Sequence, residues 1–418
     1  MSANEASSSR NEVLKLPEFR FLLAASGFST LASRALAVVI GFQIYEITHD
    51  PLSIGWLGLV EAIPAISIAL FGGHVADRSD RRLIVLITQL VSVACTVFFA
   101  VYTGFGAIHS LLPIYAVIFI AGVARGFSDP ASGAFEAQVV PREHMVNGSA
   151  WLSSSWQSCS IVGPALGGIS YAKFGVQNTY WIIAALFVLS WISIFCIAPK
   201  PIPVAEEHES IWESIAGGVK YVFGNQVLVG SMALDLFAVL FGGAIALLPI
   251  FAKDILKVGP EGLGFLTAAP SVGALSMTLW ATHRPPTKNA GKTFMLCVFG
   301  FGIAMIVFAL SRNFVVSLIA LAASGAFDGV SVIIRKSILR LMTPDHLRGR
   351  VSSVNMIFIG SSNEIGAFES GVGAKLLGTV RSVWLGGIVT LIVVAVTAIA
   401  APKLRNLDLG EEQKKKAL

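Results

Sequence analysis

A few ionisable residues lie inside long apolar stretches of the sequence, where charged groups are rare. They are Arg34, Arg125, Asp129, Asp235 and Asp328, followed by Glu61 and Glu364. A charge in the middle of a bilayer costs at least ~2.5 to 3.5 kcal/mol on insertion scales, so each residue needs a partner, water or a task. The chemistry available to them is reversible proton binding or contact with a polar solute. Static ion pairs that hold helices together are the alternative.

Other kinds of chemistry have no matching motif. The sequence lacks a phosphate-binding glycine loop ending in Lys-Ser or Lys-Thr, and it lacks a His-Glu-x-x-His motif. Its four cysteines, Cys95, Cys159, Cys196 and Cys297, lie in apolar runs without metal-ligand spacing. We therefore expect no enzymatic activity, no cofactor and no metal.

The composition indicates that lipid surrounds most of the chain. Of the 418 residues, 55% are hydrophobic and 13% are charged, whereas a soluble domain carries roughly 25% charged residues. The apolar stretches are long enough to cross ~30 Å of hydrocarbon as helices. The net charge of +5 comes from Lys and Arg in short connections rather than on one basic face. We expect contact with membrane lipid and none with nucleic acid.

Twelve apolar stretches are predicted as transmembrane helices, so the expected fold class is an all-α integral membrane protein. They cover 19–46, 51–75, 83–105, 111–138, 146–172, 178–198, 227–252, 260–283, 292–311, 314–341, 350–376 and 380–401. The longest polar connection, 199–226, contains apolar residues at helical spacing and is predicted as a linker with an amphipathic interfacial helix. It separates bundles 19–198 and 227–401, which are flanked by tails 1–18 and 402–418.

The positions of Lys and Arg predict the orientation. Most of the 30 fall in connections on one side, and examples are Arg78, Arg81, Arg82, Arg335 and Arg340. Cytoplasmic connections retain positive charge, so this side and both termini are predicted to be cytoplasmic. The first residues lack the apolar segment and cleavage site of a signal peptide.

The two predicted bundles resemble each other. The stretch from Pro141 to Gly168 aligns without a gap on Pro344 to Gly371, 203 residues later. Ser53-Ile54-Gly55 with Pro64 is also similar to Glu261-Gly262-Leu263-Gly264 with Pro270, at a separation that changes from 209 to 206 residues. Two related six-helix halves around a central cavity are common among secondary transporters.

The connection between the second and third stretches has a distinctive sequence, Gly73-His74-Val75-Ala76-Asp77-Arg78-Ser79-Asp80-Arg81-Arg82. It resembles the signature loop of the major facilitator superfamily, Gly-x-x-x-Asp-Arg-x-Gly-Arg-Arg, with Asp80 replacing the second Gly. Asp77 could face the positive N-terminal end of another helix while Arg side chains hold it. The resemblance implies a cytoplasmic gate formed by Gly73, Asp77, Arg78, Arg81 and Arg82. An ordinary positively charged loop is the alternative.

The fifth stretch contains a pattern of small residues from Cys159 to Gly168. It resembles the Gly-x-x-x-Gly-Pro-x-x-Gly-Gly pattern of exporters in the same superfamily, with Cys159 in the first position. The matching positions are Gly163, Pro164, Gly167 and Gly168. Small residues permit close helix approach and proline permits a bend, and either feature can also serve packing in any helical bundle. The pattern favours export over import only modestly.

Three further segments, 235–243, 343–352 and 363–371, look like the enterobactin-exporter-like and drug:proton antiporter branch of that superfamily. The resemblance covers essentially the whole chain. It implies two pseudo-symmetric six-helix bundles that act as a monomer in a bacterial inner membrane. It also implies export of a small molecule, a siderophore or an amphiphilic drug, by alternating access and proton antiport.

In that superfamily the first, fourth, seventh and tenth spans line the cavity, and here each carries an ionisable residue. Asp328 aligns with Arg125 across the internal repeat, so we expect an acid and a base that pair across the cavity. Protonation of Asp235 or Asp328 would break such a pairing and couple proton entry to the change of access.

Two other functions stay open at this point. The same fold could import a nutrient, a metabolite or a lysolipid. The chain could also be a membrane sensor or assembly factor that transports nothing.

Overall fold

The computed structural model of the protein describes residues 12–105, 110–202, 211–344 and 347–412. Nearly all of these residues are helical, and no strand occurs among them. Helices satisfy every backbone hydrogen bond within one segment, which is what a lipid environment demands of a spanning chain. The all-α prediction is confirmed.

The first predicted bundle contains five long helices. They are α1 (Pro17–Thr48), α2 (Pro51–Arg78), α3 (Arg81–Gly104), α4 (Leu112–Val139) and α5 (Met145–Phe195). Helix α5 has 51 residues, but Gly175 inside it has φ 77° and ψ 169°. Glycine adopts this conformation at little cost, and the helical path is interrupted there. The break separates the two stretches that the sequence predicts as the fifth and sixth spans.

The second half contains the remaining helices. They are α6 (Ile211–Gly224), α7 (Gln226–Gly242), α8 (Gly259–His283), α9 (Ala290–Leu310), α10 (Phe314–Met342), α11 (Arg348–Leu377), α12 (Thr379–Ala400) and α13 (Pro402–Arg405). Helix α6 lies in the connection where the sequence predicts an amphipathic helix. Three short helical turns, Ile245–Leu247, Leu248–Ile250 and Phe251–Ile255, follow α7.

Ten helical stretches are long and apolar enough to cross a membrane. The stretch that contains α5 is counted once among them, although Gly175 divides it. Helix α11 is long enough but is less apolar, with charged residues along its length. Division at Gly175 and addition of α11 give the predicted number of twelve segments within the described residues. Because α11 is not among the ten, twelve spans stays a prediction.

The helices form two compact units. Unit 1 comprises residues 1–49, 59–206 and 259–268, and unit 2 comprises 50–58, 207–258 and 269–418. Residues 50–58 at the beginning of α2 belong to unit 2, and residues 259–268 at the beginning of α8 belong to unit 1. The division into bundles 19–198 and 227–401 stays a prediction. Each unit has its own apolar core. Phe19, Leu22 and Phe135 belong to the core of unit 1, and Leu228 and Phe294 belong to that of unit 2.

Polar side chains also tie helices together inside unit 1. The hydroxyl of Tyr180 in α5 donates a hydrogen bond of 2.5 Å to Gln43 of α1. The side-chain amide of Gln43 donates to Thr103 of α3 at 3.0 Å. Hydrogen bonds between helices substitute in lipid for the hydrophobic contacts that drive association in water. These two bonds fix α1 relative to α3 and α5.

The segment after α12 packs against the start of α9. Leu404, Leu407 and Leu409 are buried, and the amide of Leu409 donates a hydrogen bond of 3.0 Å to the carbonyl of Thr287. Asp408 accepts a hydrogen bond from the Asn289 amide at 3.0 Å. This bond, together with those from two amides that follow Asp408, lowers the pKa of the exposed Asp408 carboxyl. The predicted C-terminal tail is therefore folded from 402 to 412, and 413–418 lie outside the described residues, as does most of the predicted N-terminal tail.

Candidate functional site

The signature loop lies between α2 and α3 and joins several helices of unit 1. The guanidinium of Arg81 donates to Asp77 at 3.2 Å and to the carbonyls of Ala76 and Ala134 at 3.0 and 3.4 Å. Arg81 thereby connects the end of α2 to α4. Asp80 has a negative φ of −65°, and its carboxylate accepts a hydrogen bond from the Leu83 amide. The residue that replaces the usual glycine is thus the N-cap of α3, and no left-handed backbone is required there.

The glycine at the start of the loop motif is less constrained than its neighbour. A Cβ atom at Gly73 would lie 4.0 Å from Pro130, which is an ordinary contact. A Cβ atom at Gly72 would clash with the carbonyl oxygen of Gly126 and lie 3.0 Å from the Cα atom of Phe127. The close crossing of α2 and α4 therefore depends on Gly72, which the motif does not single out.

Arg82 binds the end of α5. Its guanidinium donates to the carbonyls of Ile194 and Phe195 at 3.4 and 2.8 Å and lies 5.6 Å from the Phe195 ring centroid. Carbonyls at a helix C-terminus carry partial negative charge and lack partners within the helix. Arg82 supplies both a positive charge and hydrogen bonds to them.

We expect Arg82→Ala to lower the free energy of unfolding by about 1 kcal/mol, because the last carbonyls of α5 lose their donor. Thermal unfolding in detergent, followed by tryptophan fluorescence, measures the change. Arg78→Ala is the matched control, since Arg78 is exposed and has no recorded hydrogen bond to the described part of the chain. Equal shifts for both variants would show that only the positive charge of the loop matters.

The small residues of α5 form close contacts with two helices of unit 1. A Cβ atom at Gly163 would lie 2.7 Å from the Cβ of Arg34, and one at Gly167 would lie 2.8 Å from the carbonyl oxygen of Ala35. Both partners are in α1. Pro164 is buried in the same contact region. The predicted close approach of helices is present, and it is made with α1 at these positions.

Gly168 contacts α8 instead. A Cβ atom there would clash with the carbonyl oxygen of Pro260 and lie 2.9 Å from the Cα atom of Gly264. The internal repeat has a matching contact in unit 2, where a Cβ atom at Gly371 would lie 2.9 Å from the Cα atom of Gly55. Gly168 aligns with Gly371, and Gly264 aligns with Gly55. The sequence repeat therefore corresponds to a glycine-glycine contact that occurs once in each unit.

Three predicted site residues of unit 1 form one ionic cluster. Arg125, near the middle of α4, donates to Glu61 of α2 at 2.9 Å and lies 3.4 Å from the Asp129 carboxylate, one turn further along α4. All three side chains are between 41 and 69% exposed. Exposed charges near mid-helix are too costly to face hydrocarbon, so this surface of unit 1 must adjoin water or polar groups.

Arg34 lies near the middle of α1 and close enough to Arg125 for their charges to repel each other. Its guanidinium carbon is 5.5 Å from the centroid of the Trp156 ring in α5. Trp156 is 48% exposed and lies beside this cation. Only the folded chain brings the two together.

Asp235 in α7 forms a buried ion pair with Arg335 in α10. Their side chains are 8% and 7% exposed. The sequence analysis counts Arg335 among the positive charges of the cytoplasmic side, but in the structure it lies inside α10 and is buried against Asp235. It is the functional candidate that the sequence misses. Its position seven residues, or two helical turns, after Asp328 is the signal that could have revealed it.

Asp328 lies beside this pair and has no recorded hydrogen bond or ion pair to the residues that the structure describes. It lines a cavity together with Asp235, Ser331, Cys297 and Phe327. The cavity leaves about 10 Å³ for the centre of a water molecule, which is roughly the space of one water. One cavity of unit 2 is therefore lined by two acids: Asp235, whose charge Arg335 balances, and Asp328, for which no cation is seen among the described residues.

Glu364 lies in α11, and a Cβ atom at Gly58 would be 3.2 Å from its Oε2 atom. Arg125 belongs to unit 1 and Asp328 to unit 2, so the pairing predicted between them stays a prediction. In the motif 343–352, Asp345 and His346 lie outside the described residues.

One further ion pair of unit 2 joins the connection between α1 and α2 to the last turns of α11. Asp50, in the connection between α1 and α2, accepts a hydrogen bond from Lys375 of α11 at 2.9 Å. Burial by itself would raise the pKa of the Asp50 carboxyl. The hydrogen bonds from Lys375 and the Leu52 amide outweigh burial, so the pKa lies below its ordinary value. The Lys375 contact therefore stabilises the charged form of the Asp50 carboxyl.

Known proteins are similar to this chain in sequence or in fold. A sequence profile for the family described as "transmembrane secretion effector" matches residues 9–417. The enterobactin exporters of Escherichia coli strain K12 and of Shigella boydii serotype 18 are each 25% identical to the chain over 400 residues. Both alignments cover 93% of this chain and 93% of the exporter.

Solved transporter structures superpose on the chain at much lower identity. A POT-family peptide transporter has a TM-score of 0.74 at 11% identity, covering 92% of this chain and 94% of that one. A D-xylose-proton symporter has a TM-score of 0.70 at 14% identity, covering 91% and 96%. Identities this low establish the fold alone. The profile match over nearly the whole chain establishes more: the protein belongs to the transmembrane secretion effector family and is a multi-pass membrane transporter of the major facilitator type.

Proposed function

We propose that the protein exports a small organic molecule, a siderophore or an amphiphilic drug, by antiport with protons and alternating access. It works as a monomer in the bacterial inner membrane with both termini in the cytoplasm. The proton gradient is its energy source, and it needs no cofactor. The similarity to enterobactin exporters over 93% of the chain supports outward transport of a siderophore-like solute.

The observation that carries the proton-coupling proposal is that Asp235 has a cationic partner in unit 2 whereas Asp328, beside it, has none among the described residues. Arg335 neutralises Asp235, so Asp235 can stay ionised without access to water. Asp328 lines the same cavity without a recorded cation among the described residues. Asp328 is half-buried, and a carboxylate without a partner costs several kcal/mol in its charged form when its surroundings exclude water. Asp328 is therefore charged only when water reaches it, which makes its protonation depend on access.

This dependence supplies the coupling. When water on the proton-rich side reaches Asp328, the carboxylate takes up a proton and the neutral acid tolerates closure of the apolar surroundings. When the cavity opens to the other side, the acid ionises in contact with water and releases the proton. Each change of access then carries a proton inward, and the solute moves in the opposite direction because it binds the alternate state.

Transport in proteoliposomes tests the proposal. Vesicles with the protein in the membrane are loaded with enterobactin or a fluorescent amphiphilic dye, and transport is recorded with and without an imposed pH gradient. We expect the gradient to raise the rate at least tenfold and Asp328→Asn to abolish that increase, while Asp328→Glu keeps part of it. Asp254→Asn, which changes an acid outside the cavity, is the control and should behave as wild type.

The contrary results are equally clear. Equal rates with and without the gradient, together with an Asp328→Asn variant that transports normally, would exclude proton coupling through this acid. Gradient-driven movement of the solute in the same direction as the protons would identify an importer.

A further inference from the structure

The Arg34 side chain is a cation without a recorded anionic partner. It is exposed and lies near the middle of α1, and no carboxylate lies within ion-pair distance of it in the described ranges. The neighbouring Arg125 is already engaged by Glu61 and Asp129 at 2.9 and 3.4 Å. The charge of Arg125 repels that of Arg34 rather than compensating it.

The aromatic neighbour does not neutralise the charge. A ring face attracts a cation through its quadrupole, but it supplies neither a negative charge nor the carboxylate oxygens that match a guanidinium fork. The Trp156 contact at 5.5 Å therefore leaves the Arg34 guanidinium without an anion on a surface that adjoins water or polar groups. An anionic solute that reaches this surface can pair with it.

Helix packing fixes the position of Arg34 relative to Trp156. Gly163 of α5 lies directly against Arg34, since a Cβ atom at Gly163 would be 2.7 Å from the Arg34 Cβ. Trp156 lies two turns before Gly163 on the same helix. The glycine sets the distance between α1 and α5, so that the guanidinium and the indole are held side by side on one surface of unit 1.

We infer that Arg34 and Trp156 bind the anionic aromatic part of the transported molecule. The guanidinium fork matches a carboxylate in bidentate geometry. The exposed indole surface offers an offset or edge contact to the ring that carries the carboxylate. The inference deepens the proposed function and rests on it for the role of the bound molecule. It commits to organic acids with an aromatic ring over neutral or cationic amphiphiles.

Equilibrium binding of a matched pair of ligands tests this inference. The probes are 2-naphthoate and 2-naphthamide, which have the same ring and differ in charge. Affinities are measured by isothermal titration calorimetry on the purified full-length protein in nanodiscs, at pH 7.5 and without a gradient. We expect wild type to bind the acid at least tenfold more tightly than the amide, and high salt to reduce that preference.

Variants assign the preference to the two side chains. Arg34→Gln should make the affinities for acid and amide equal, and Arg34→Lys should retain part of the difference because it keeps the charge without the fork. Trp156→Leu should weaken both ligands and leave their ratio unchanged. Arg312→Gln, which removes an exposed arginine whose side chain donates to the adjacent Ser311 carbonyl, should leave both affinities unchanged. Thermal unfolding of each variant confirms that it is folded.

Three results would overturn the inference: no binding of naphthoate, equal affinities for acid and amide in wild type, or an acid preference that survives in Arg34→Gln. The measurement uses no gradient and no transport. A failure of proton coupling would therefore leave the binding preference intact, and a failure of the binding preference would leave gradient-driven transport intact.

Discussion

We expect Arg335→Gln to lower the free energy of unfolding by about 3 to 5 kcal/mol, the range measured when one partner of a buried ion pair is removed. The substitution leaves the Asp235 carboxylate buried in unit 2 without its cation. The cost is the desolvation of that charge rather than the loss of an attractive contact. Urea or thermal unfolding in detergent, followed by circular dichroism at 222 nm, measures the change.

A double-mutant cycle separates this cause from a packing defect. Asp235→Asn combined with Arg335→Gln removes both charges, so the double variant should recover most of the lost stability and show a coupling of at least about 1.5 kcal/mol. Arg340→Gln is the control, because it lies on the same helix and its side chain is exposed. Additive losses in the two single variants would mean that the pair contributes packing and not charge compensation.

The second large effect is expected at Gly168, where alanine should destabilise the protein by about 1 to 3 kcal/mol. The added methyl group would clash with the backbone carbonyl of Pro260, which a rotation of a side chain cannot relieve. Helix α5 and helix α8 must then move apart within unit 1. Unfolding temperature in detergent reports the change. The same substitution at the repeat-related Gly371 should act in the same direction.

The effect of alanine on stability is expected to have opposite signs at an open and at a crowded glycine. Alanine stabilises a helix interior by roughly 0.5 to 1 kcal/mol over glycine when space is available. Gly133 in α4 is such a position, since nothing lies within 4 Å of an added Cβ atom. We expect Gly133→Ala to raise the unfolding temperature and Gly168→Ala to lower it. Increases for both variants would contradict the close contact between α5 and α8.

Much of the fold could be predicted because hydropathy and length constrain membrane helices strongly. The stretch predicted at 83–105 is α3 at Arg81–Gly104, and that predicted at 111–138 is α4 at Leu112–Val139. The seventh stretch, 227–252, deviates because α7 ends at Gly242 and is followed by short turns. Gly242 and Gly243 weaken the helix, and Pro249 cannot donate a backbone hydrogen bond. An apolar stretch predicts a span but not the irregularity inside it.

The candidate site could be predicted only in part. Charges inside apolar stretches identify Asp235, Asp328 and Arg125, because the cost of a charge in lipid is independent of its neighbours. The partners depend on how helices face each other, and periodicity does not give that. Arg335 therefore looked like one more positive charge near a helix end, although it is buried against Asp235. The contact between Arg34 and Trp156 likewise depends on how α1 and α5 face each other.

The folded segment after α12 has a practical consequence for handling the protein. Leu404 is completely buried and Leu409 nearly so, and the backbone of Leu407 accepts a hydrogen bond from Gly291 at 3.1 Å. A truncation at the end of the last long helix would uncover these contacts and leave the start of α9 without its partners. An affinity tag or fluorescent fusion therefore belongs after Glu412, and a protease site for its removal should lie beyond that residue as well.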